Sequence, residues 1–138
     1  MTINVYNGAV PDGAAMLRQE VFVEEQGFID EFDEYDRSAT HLVMFDGEEP
    51  VATLRFYDEG GDSRHVGRVA VKKSRRGEGL GKILMDEAFR LARKSGAKKM
   101  TVAAQEDKSG FYTRCGFKQV GERFYEQDYP HVNMEINL

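Results

Sequence analysis

The sequence predicts a mixed α/β fold, in which a mostly antiparallel sheet carries a central parallel strand-helix-strand unit. Three observations predict it. Two short apolar runs, Val66 to Val71 and Lys99 to Ala104, bracket a segment with helical periodicity, the signature of a parallel crossover. Upstream, His41 to Phe45 and Pro50 to Tyr57 flank Asp46-Gly47-Glu48-Glu49, as in an antiparallel hairpin with a glycine turn. Downstream, Val132, Met134, Ile136 and Leu138 alternate within Tyr129 to Leu138, as in a closing strand. With 138 residues, 41% of them hydrophobic, the chain can bury one core and is too short for two, so one domain over 1–138 is expected.

Taken in order, Thr2 to Asn7 alternates with Ile3 and Val5 on one side, as a half-buried edge strand would. Asp12 is placed to cap a helix carrying Ala15, Met16, Val21, Phe22 and Val23, whose consecutive apolar triplet implies burial on more than one side or a break near Gly27. Phe28 to Arg37 is acidic and aromatic without a clean period, and reads as a loop or short helix bordering a site. Asp58 to Ser63 is a turn that returns the chain into the strand at Val66. Leu80, Ile83, Leu84, Ala88, Leu91 and Ala92 form an apolar helical stripe ending at Gly96. Glu78 near its start and Arg93 and Lys94 at its end follow the order the helix dipole favours. Ser109 to Cys115 reads as a short helix stopped by Gly116, followed by a strand containing Phe117 and Val120.

The turn between the central strand and its helix carries the chemistry. Val69, Ala70 and Val71 suit a strand buried on both faces, and Gly77, Gly79 and Gly81 leave the following turn free of Cβ atoms, so that its N–H groups can converge on an anion. Those donors coincide with the positive end of a helix dipole, and Arg75 and Arg76 add charge, so a phosphate or pyrophosphate is the natural occupant. Two better-known phosphate loops do not fit. A dinucleotide fingerprint would need glycine at Lys82 or at Leu84; a Walker loop would need glycine at Arg76 and Ser or Thr at Ile83.

What fits is Arg76-x-x-Gly79-x-Gly81 directly after Val-Ala-Val, which resembles the acetyl-CoA signature of the GNAT N-acetyltransferase superfamily. A second likeness lies at Phe111-Tyr112, three residues, then Gly116-Phe117, which is similar to a motif near the end of GNAT domains. The resemblance implies the GNAT acetyltransferase fold and transfer of an acetyl group from acetyl-CoA, as co-substrate, to an amine by direct attack in a ternary complex. It implies a cofactor site at Val69, Ala70, Val71, Arg76, Gly77, Glu78, Gly79, Leu80, Gly81 and Lys82, with Tyr112 as proton donor to the leaving thiolate. Arg18-x-x-Val21-Phe22-Val23-x-Glu25-Gln26, with Asp33, Asp36 and His41, looks like a small bacterial GNAT subgroup, and makes Arg18, Phe22, Glu24, Glu25, Gln26, Asp36 and His41 candidates on the acceptor side. Relatives often place an asparagine after the second parallel strand; here Ala103-Ala104-Gln105 stands there, leaving Gln105, Glu24, Glu25, Asp36 or His41 as the base. The alternative is a non-catalytic CoA-binding module, which would keep Arg76, Gly79 and Gly81 but need no proton donor.

Charge and composition narrow the partners. The net charge is −5, yet Asp12 to Glu49 holds 12 acidic residues against 2 basic, and Arg64 to Lys99 holds 12 basic against 3 acidic. A small-molecule or peptide amine drawn to the acidic part is the expected acceptor. The basic stretch has only Phe89 as an aromatic, so no nucleic-acid partner is expected. No window approaches the ~18 apolar residues of a membrane span, and the start lacks the basic and apolar regions of a signal peptide, so no membrane partner and a cytoplasmic location are expected. Cys115 is the sole cysteine, has no histidine near it in sequence, and reads as structural. His41, His65 and His131 show no metal-ligand spacing, so no metal is expected. The oligomeric state is open, a homodimer included.

Overall fold

The computed structural model describes residues 1–29 and 32–138; Asp30 and Glu31, part of the acidic run read above, lie outside the described residues. The described residues form a seven-stranded sheet in the order β1-β2-β3-β4-β5-β7-β6, with β1 Thr2–Asn7, β2 Thr40–Asp46, β3 Glu49–Gly60, β4 Ser63–Val71, β5 Lys99–Gln105, β6 Lys118–Glu126 and β7 Tyr129–Asn137. All neighbours are antiparallel except β4 and β5. The expected mixed sheet with one parallel unit is therefore present.

The parallel pairing is short. It runs from Ser63 opposite Lys99 to Val66 opposite Val102 and stops there, although β4 continues to Val71. Beyond Val66 the two strands splay. Along its other edge β4 slips against β3 between Thr53 and Arg55, where Arg68 sits at φ +52°, the bulge that accentuates the local twist. Beyond the splay, β5 pairs only with β7, up to Gln105 opposite His131.

Helix α2, Leu80–Lys94, crosses between the two parallel strands. Its buried face is Leu80, Leu84, Met85, Ala88, Phe89 and Ala92, packed on Leu54, Val66, Met100 and Val102 in one core. Ile83, read above as part of the stripe, is 52% exposed; it lies on the flank, and Met85 and Phe89 fill the core instead. Helix α3, Ser109–Arg114, is short and closes against Phe117. No helix among the described residues is long and apolar enough to cross a membrane.

The first helix departs most from expectation. α1 spans Asp12–Arg18, and its N-cap is Pro11, whose carbonyl accepts from Ala15 N–H; Asp12 is the first helical residue and makes no side-chain cap. The chain then widens into a π-helical turn over Gln19–Glu25, with Gln26 N–H bonded to Val21 O and Phe28 N–H to Phe22 O. The wider turn buries Val21 and brings it, Phe22 and Gln26 to the lining of one cleft. The acidic run that follows contains one 3₁₀ turn, Glu34–Arg37, capped by Asp33. β6 and β7 join through Gln127 and Asp128, both at positive φ, as in a two-residue hairpin turn.

Candidate active site

A cleft of about 920 Å³ opens where β4 and β5 part. Its floor is Gly67 to Val71 of β4 and Val102, Ala103 and Gln105 of β5. The Arg76 to Lys82 turn closes one end, α3 supplies Phe111, Tyr112 and Cys115, and the π-turn supplies Val21, Phe22 and Gln26. Backbone groups of β4 past Val66 have no β5 partner in this stretch, so an extended ligand carrying amides can pair there as an added strand would.

The turn suits an anion by its conformation. Gly77 and Gly79 adopt φ +85° and +78°, and Gly79 is the left-handed N-cap of α2, leaving the first-turn N–H groups pointing out of the helix. Gly81 is needed for packing: a Cβ there would lie 3.0 Å from Cε1 of Phe111, the residue beside Tyr112. These two requirements, positive φ at the cap and close approach two residues on, account for the glycine spacing.

Nine of the ten cofactor candidates line the cleft: Val69, Ala70, Val71, Arg76, Gly77, Gly79, Leu80, Gly81 and Lys82. Glu78 does not, because its carboxylate is taken by Arg75 at 3.0 Å, which also reaches Asp46. Arg76 lines the cleft but is engaged: both Nη atoms donate to Glu25, and Nε donates to the Val71 carbonyl. Tyr112 is 8% exposed, edge-on to Phe111 and Phe117, and its phenol has no hydrogen-bond partner among the described residues. Burial, with a smaller contribution from Cys115, raises its pKa well above the ordinary phenol value, so it stays protonated at neutral pH. Cys115 also lines the cleft, and burial raises its thiol, so it is not a thiolate at neutral pH.

The acceptor candidates divide. Phe22, Gln26 and Gln105 line the cleft, and Gln105 Nε2 donates to Gln26 Oε1 at 2.8 Å. Glu24 is exposed and lies outside it. Arg18, Asp36 and His41 do not line it; they are buried and meet in one polar network. Arg18 donates to both Asp36 oxygens at 3.0 and 3.2 Å, Arg55 donates to Asp36 at 2.7 Å and to Asp33, and His41 Nε2 donates to the Asp36 carbonyl at 2.9 Å. Burial alone would raise the Asp36 pKa, but hydrogen bonds from Arg18 and Arg55 outweigh it and bring it to about 2. Asp33 and Asp36 are thereby neutralised, as Glu25 is by Arg76, so these acids of the amino-terminal part do not present free carboxylates to the cleft.

Several cleft residues lie outside the sequence-derived set. Tyr57 stacks on Tyr35 at 4.4 Å and tilts against His65, while Glu126 and His131 come from the β6–β7 hairpin. β4 begins three residues before the Val66 start read from the sequence, and that difference brings His65, which the sequence reading left between turn and strand, into the sheet. Ser63, Arg64 and His65 are three polar residues in succession, so no apolar alternation marks the earlier start.

Residues 9–138 match the family profile described as Acetyltransferase (GNAT) domain. The chain belongs to the GNAT acetyltransferase family. The Bacillus subtilis protein named "Uncharacterized N-acetyltransferase YjcF" is 34% identical over 124 residues, covering 88% of each chain. The solved structure of an acyl-CoA N-acyltransferase from Pseudomonas aeruginosa is 29% identical, covers 97% of both chains and superposes with a TM-score of 0.84. An aminoglycoside 6'-N-acetyltransferase complexed with coenzyme A covers 99% of this chain and 97% of its own at a TM-score of 0.78; at 15% identity it shares the fold alone. The GNAT fold inferred from the glycine turn is thus the fold of the chain.

Proposed function

We propose that residues 1–138 act as one N-acetyltransferase domain that moves an acetyl group from acetyl-CoA to a small-molecule or peptide amine by direct attack in a ternary complex. The splay of β4 from β5 past Val66 carries this reading, because it opens a slot lined with unpaired backbone and ends it on the glycine turn. In this reading the pyrophosphate rests on N–H groups of the Gly77 to Lys82 turn with Arg76 beside it, and the pantetheine arm pairs with β4. The coenzyme A held by the aminoglycoside acetyltransferase of the same fold supports it.

Direct attack makes few demands. A backbone N–H in Val69 to Val71 stabilises the oxyanion that forms on the thioester carbonyl. Tyr112, kept protonated by burial, gives its proton to the sulfur as the C–S bond breaks. The test is thiol release from acetyl-CoA with a panel containing tyramine, spermidine and a lysine peptide, with acetylated product confirmed by mass. Turnover supports the reading; CoA binding without turnover on any amine favours the non-catalytic CoA-binding module.

A further inference from the structure

Direct attack needs a group to take the proton that the amine sheds, and most of the acids considered for that role are already engaged. Glu25 is held by Arg76, Asp36 by Arg18 and Arg55, and His41 is tied to a backbone carbonyl under the sheet. Gln105 has no basic lone pair. His65 and His131 both line the cleft and can accept a proton.

His65 sits at the last-but-one register position of the parallel ladder, opposite Thr101, immediately before β4 and β5 part. Its Nδ1 lies 2.7 Å from Thr101 Oγ1, and that hydroxyl donates to Glu59 Oε1, also at 2.7 Å. A threonine hydroxyl has a single proton, and an ionised carboxylate can only accept. Thr101 therefore spends its proton on Glu59 and receives one from His65, which places the ring proton on Nδ1 and leaves the lone pair on Nε2. Among the described residues Nε2 has no hydrogen-bond partner. His131 differs: its Nδ1 is bound to the Tyr129 carbonyl at 2.8 Å, and its Nε2 faces the Glu126 carboxylate at 3.5 Å.

We propose that His65 is the general base of the acetyl transfer, with Thr101 and Glu59 as positioning residues that fix its tautomer. The assignment rests on the N-acetyltransferase reading above. The amine lone pair attacks the thioester carbon, the C–N bond forms, and the carbonyl π pair becomes the oxyanion. The proton on the attacking nitrogen passes to Nε2, directly or across one water. When the oxyanion re-forms the carbonyl, the C–S bond breaks and the thiolate takes the Tyr112 proton. The imidazolium then loses its proton to solvent and Tyr112 regains one, so the products are the amide and CoA thiol.

The surroundings favour a neutral ring. Burial lowers the His65 pKa below its ordinary 6.5; Glu59 on β3 and Glu126 on β6 pull the other way, Arg55 on β3 adds to the lowering, and the uncharged Tyr57 ring packs alongside. The ring is therefore neutral at neutral pH, and Glu59 Oε2, 3.6 Å from Nδ1, stands ready to pair with the imidazolium once it forms.

The test combines a readout of structure with one of chemistry. In the full-length protein, imidazole ¹⁵N signals should show His65 as the Nδ1–H tautomer, and an Nε2–H tautomer would overturn the assignment. With acetyl-CoA and the best amine of the panel, His65→Gln should lower kcat/KM at neutral pH by ~100- to 10,000-fold. Melting temperature and CoA affinity should be kept. The deficit should narrow at alkaline pH, where hydroxide can take the proton from the attacking nitrogen in place of His65, whereas the supply of unprotonated amine affects wild type and variant alike. Thr101→Val should lose less and move the acidic limb of the wild-type profile. If that limb follows His131→Gln instead, or if His65→Gln matches wild type at every pH, His65 is not the base. No thiol release by the wild type with any amine removes this proposal together with the reading it rests on.

Discussion

Glu25 and Arg76, 51 positions apart, face each other as carboxylate and guanidinium, with the two Nη atoms donating at 2.7 and 2.8 Å. The pair joins the π-turn to the glycine turn across the cleft. Its hydrogen bonds, partly opposed by burial, hold the Glu25 pKa below the ordinary carboxylate range, so the group is charged at neutral pH. If Arg76 serves a pyrophosphate, Glu25 competes with it. Glu25→Gln should therefore tighten CoA by roughly 2- to 5-fold, in keeping with the modest strength of a partly exposed ion pair. Arg76→Ala should weaken CoA by ~10-fold or more, the worth of charge-assisted bonds. Calorimetric titration with CoA decides, and weaker binding by Glu25→Gln would mean that the carboxylate orients Arg76 for the ligand.

Gly79 and Gly81 should fail for different reasons when substituted. Gly79→Ala has open space but must hold φ +78°, which costs about 1–2 kcal/mol and should lower Tm by roughly 2–8 °C. Gly81→Ala has an ordinary helical site but drives a methyl to 3.0 Å from Phe111, so its strain passes to the ring that meets Tyr112 edge-on at 5.1 Å. Larger side chains at either position should abolish the CoA-induced rise in Tm while the far-ultraviolet circular dichroism is kept. Normal CoA stabilisation of a Gly79→Leu protein would move the pyrophosphate elsewhere.

The glycine turn and the parallel unit are legible in sequence because their signals are local: strand, positive-φ residues and helix follow one another within about one crossover. The Arg18, Asp36, Arg55 and His41 network is not, because charge and residue type are visible but partner choice is tertiary. Three of those residues, read as acceptor-side candidates, are buried and bonded within that network. The π-turn escapes for a related reason, since residues that favour α and π geometry hardly differ, and packing of Val21 decides. His65 is hidden by a strand boundary: a start at Val66 leaves it outside the strand, whereas the β5 ladder already begins three residues earlier, at Ser63.

Asp36 makes acid stability a measure of that buried network. Its pKa falls from 3.8 to about 2 on folding, so its contribution is fully present above about pH 4 and is lost as pH falls toward 2. That contribution is on the order of 2 kcal/mol. Asp36→Asn should cost about 3 kcal/mol at neutral pH, because Arg18 and Arg55 then lose a buried counter-charge. It should also flatten the decline between pH 4 and 2. Urea midpoints measured across that range test both, and an unchanged slope in the variant would assign the acid transition to other carboxylates.

Tyr112→Phe isolates one proton. The ring packs edge-on against Phe111 and Phe117, and the hydroxyl has no partner among the described residues, so removing it breaks no internal hydrogen bond and should leave Tm and CoA affinity close to wild type. Burial keeps the phenol protonated far above neutrality, so Tyr112 should contribute no basic limb to the pH profile below about pH 10. A general acid is worth ~100- to 10,000-fold in rate, and its interaction exists only as the C–S bond breaks, so the loss should fall on kcat and leave KM largely unchanged. The loss should shrink with an acyl donor whose thiol is more acidic, because a better leaving group needs less help. Single-turnover kinetics separate this step from product release. A variant with the wild-type single-turnover rate would make Tyr112 a packing residue, and the sulfur would then leave as a thiolate protonated by solvent.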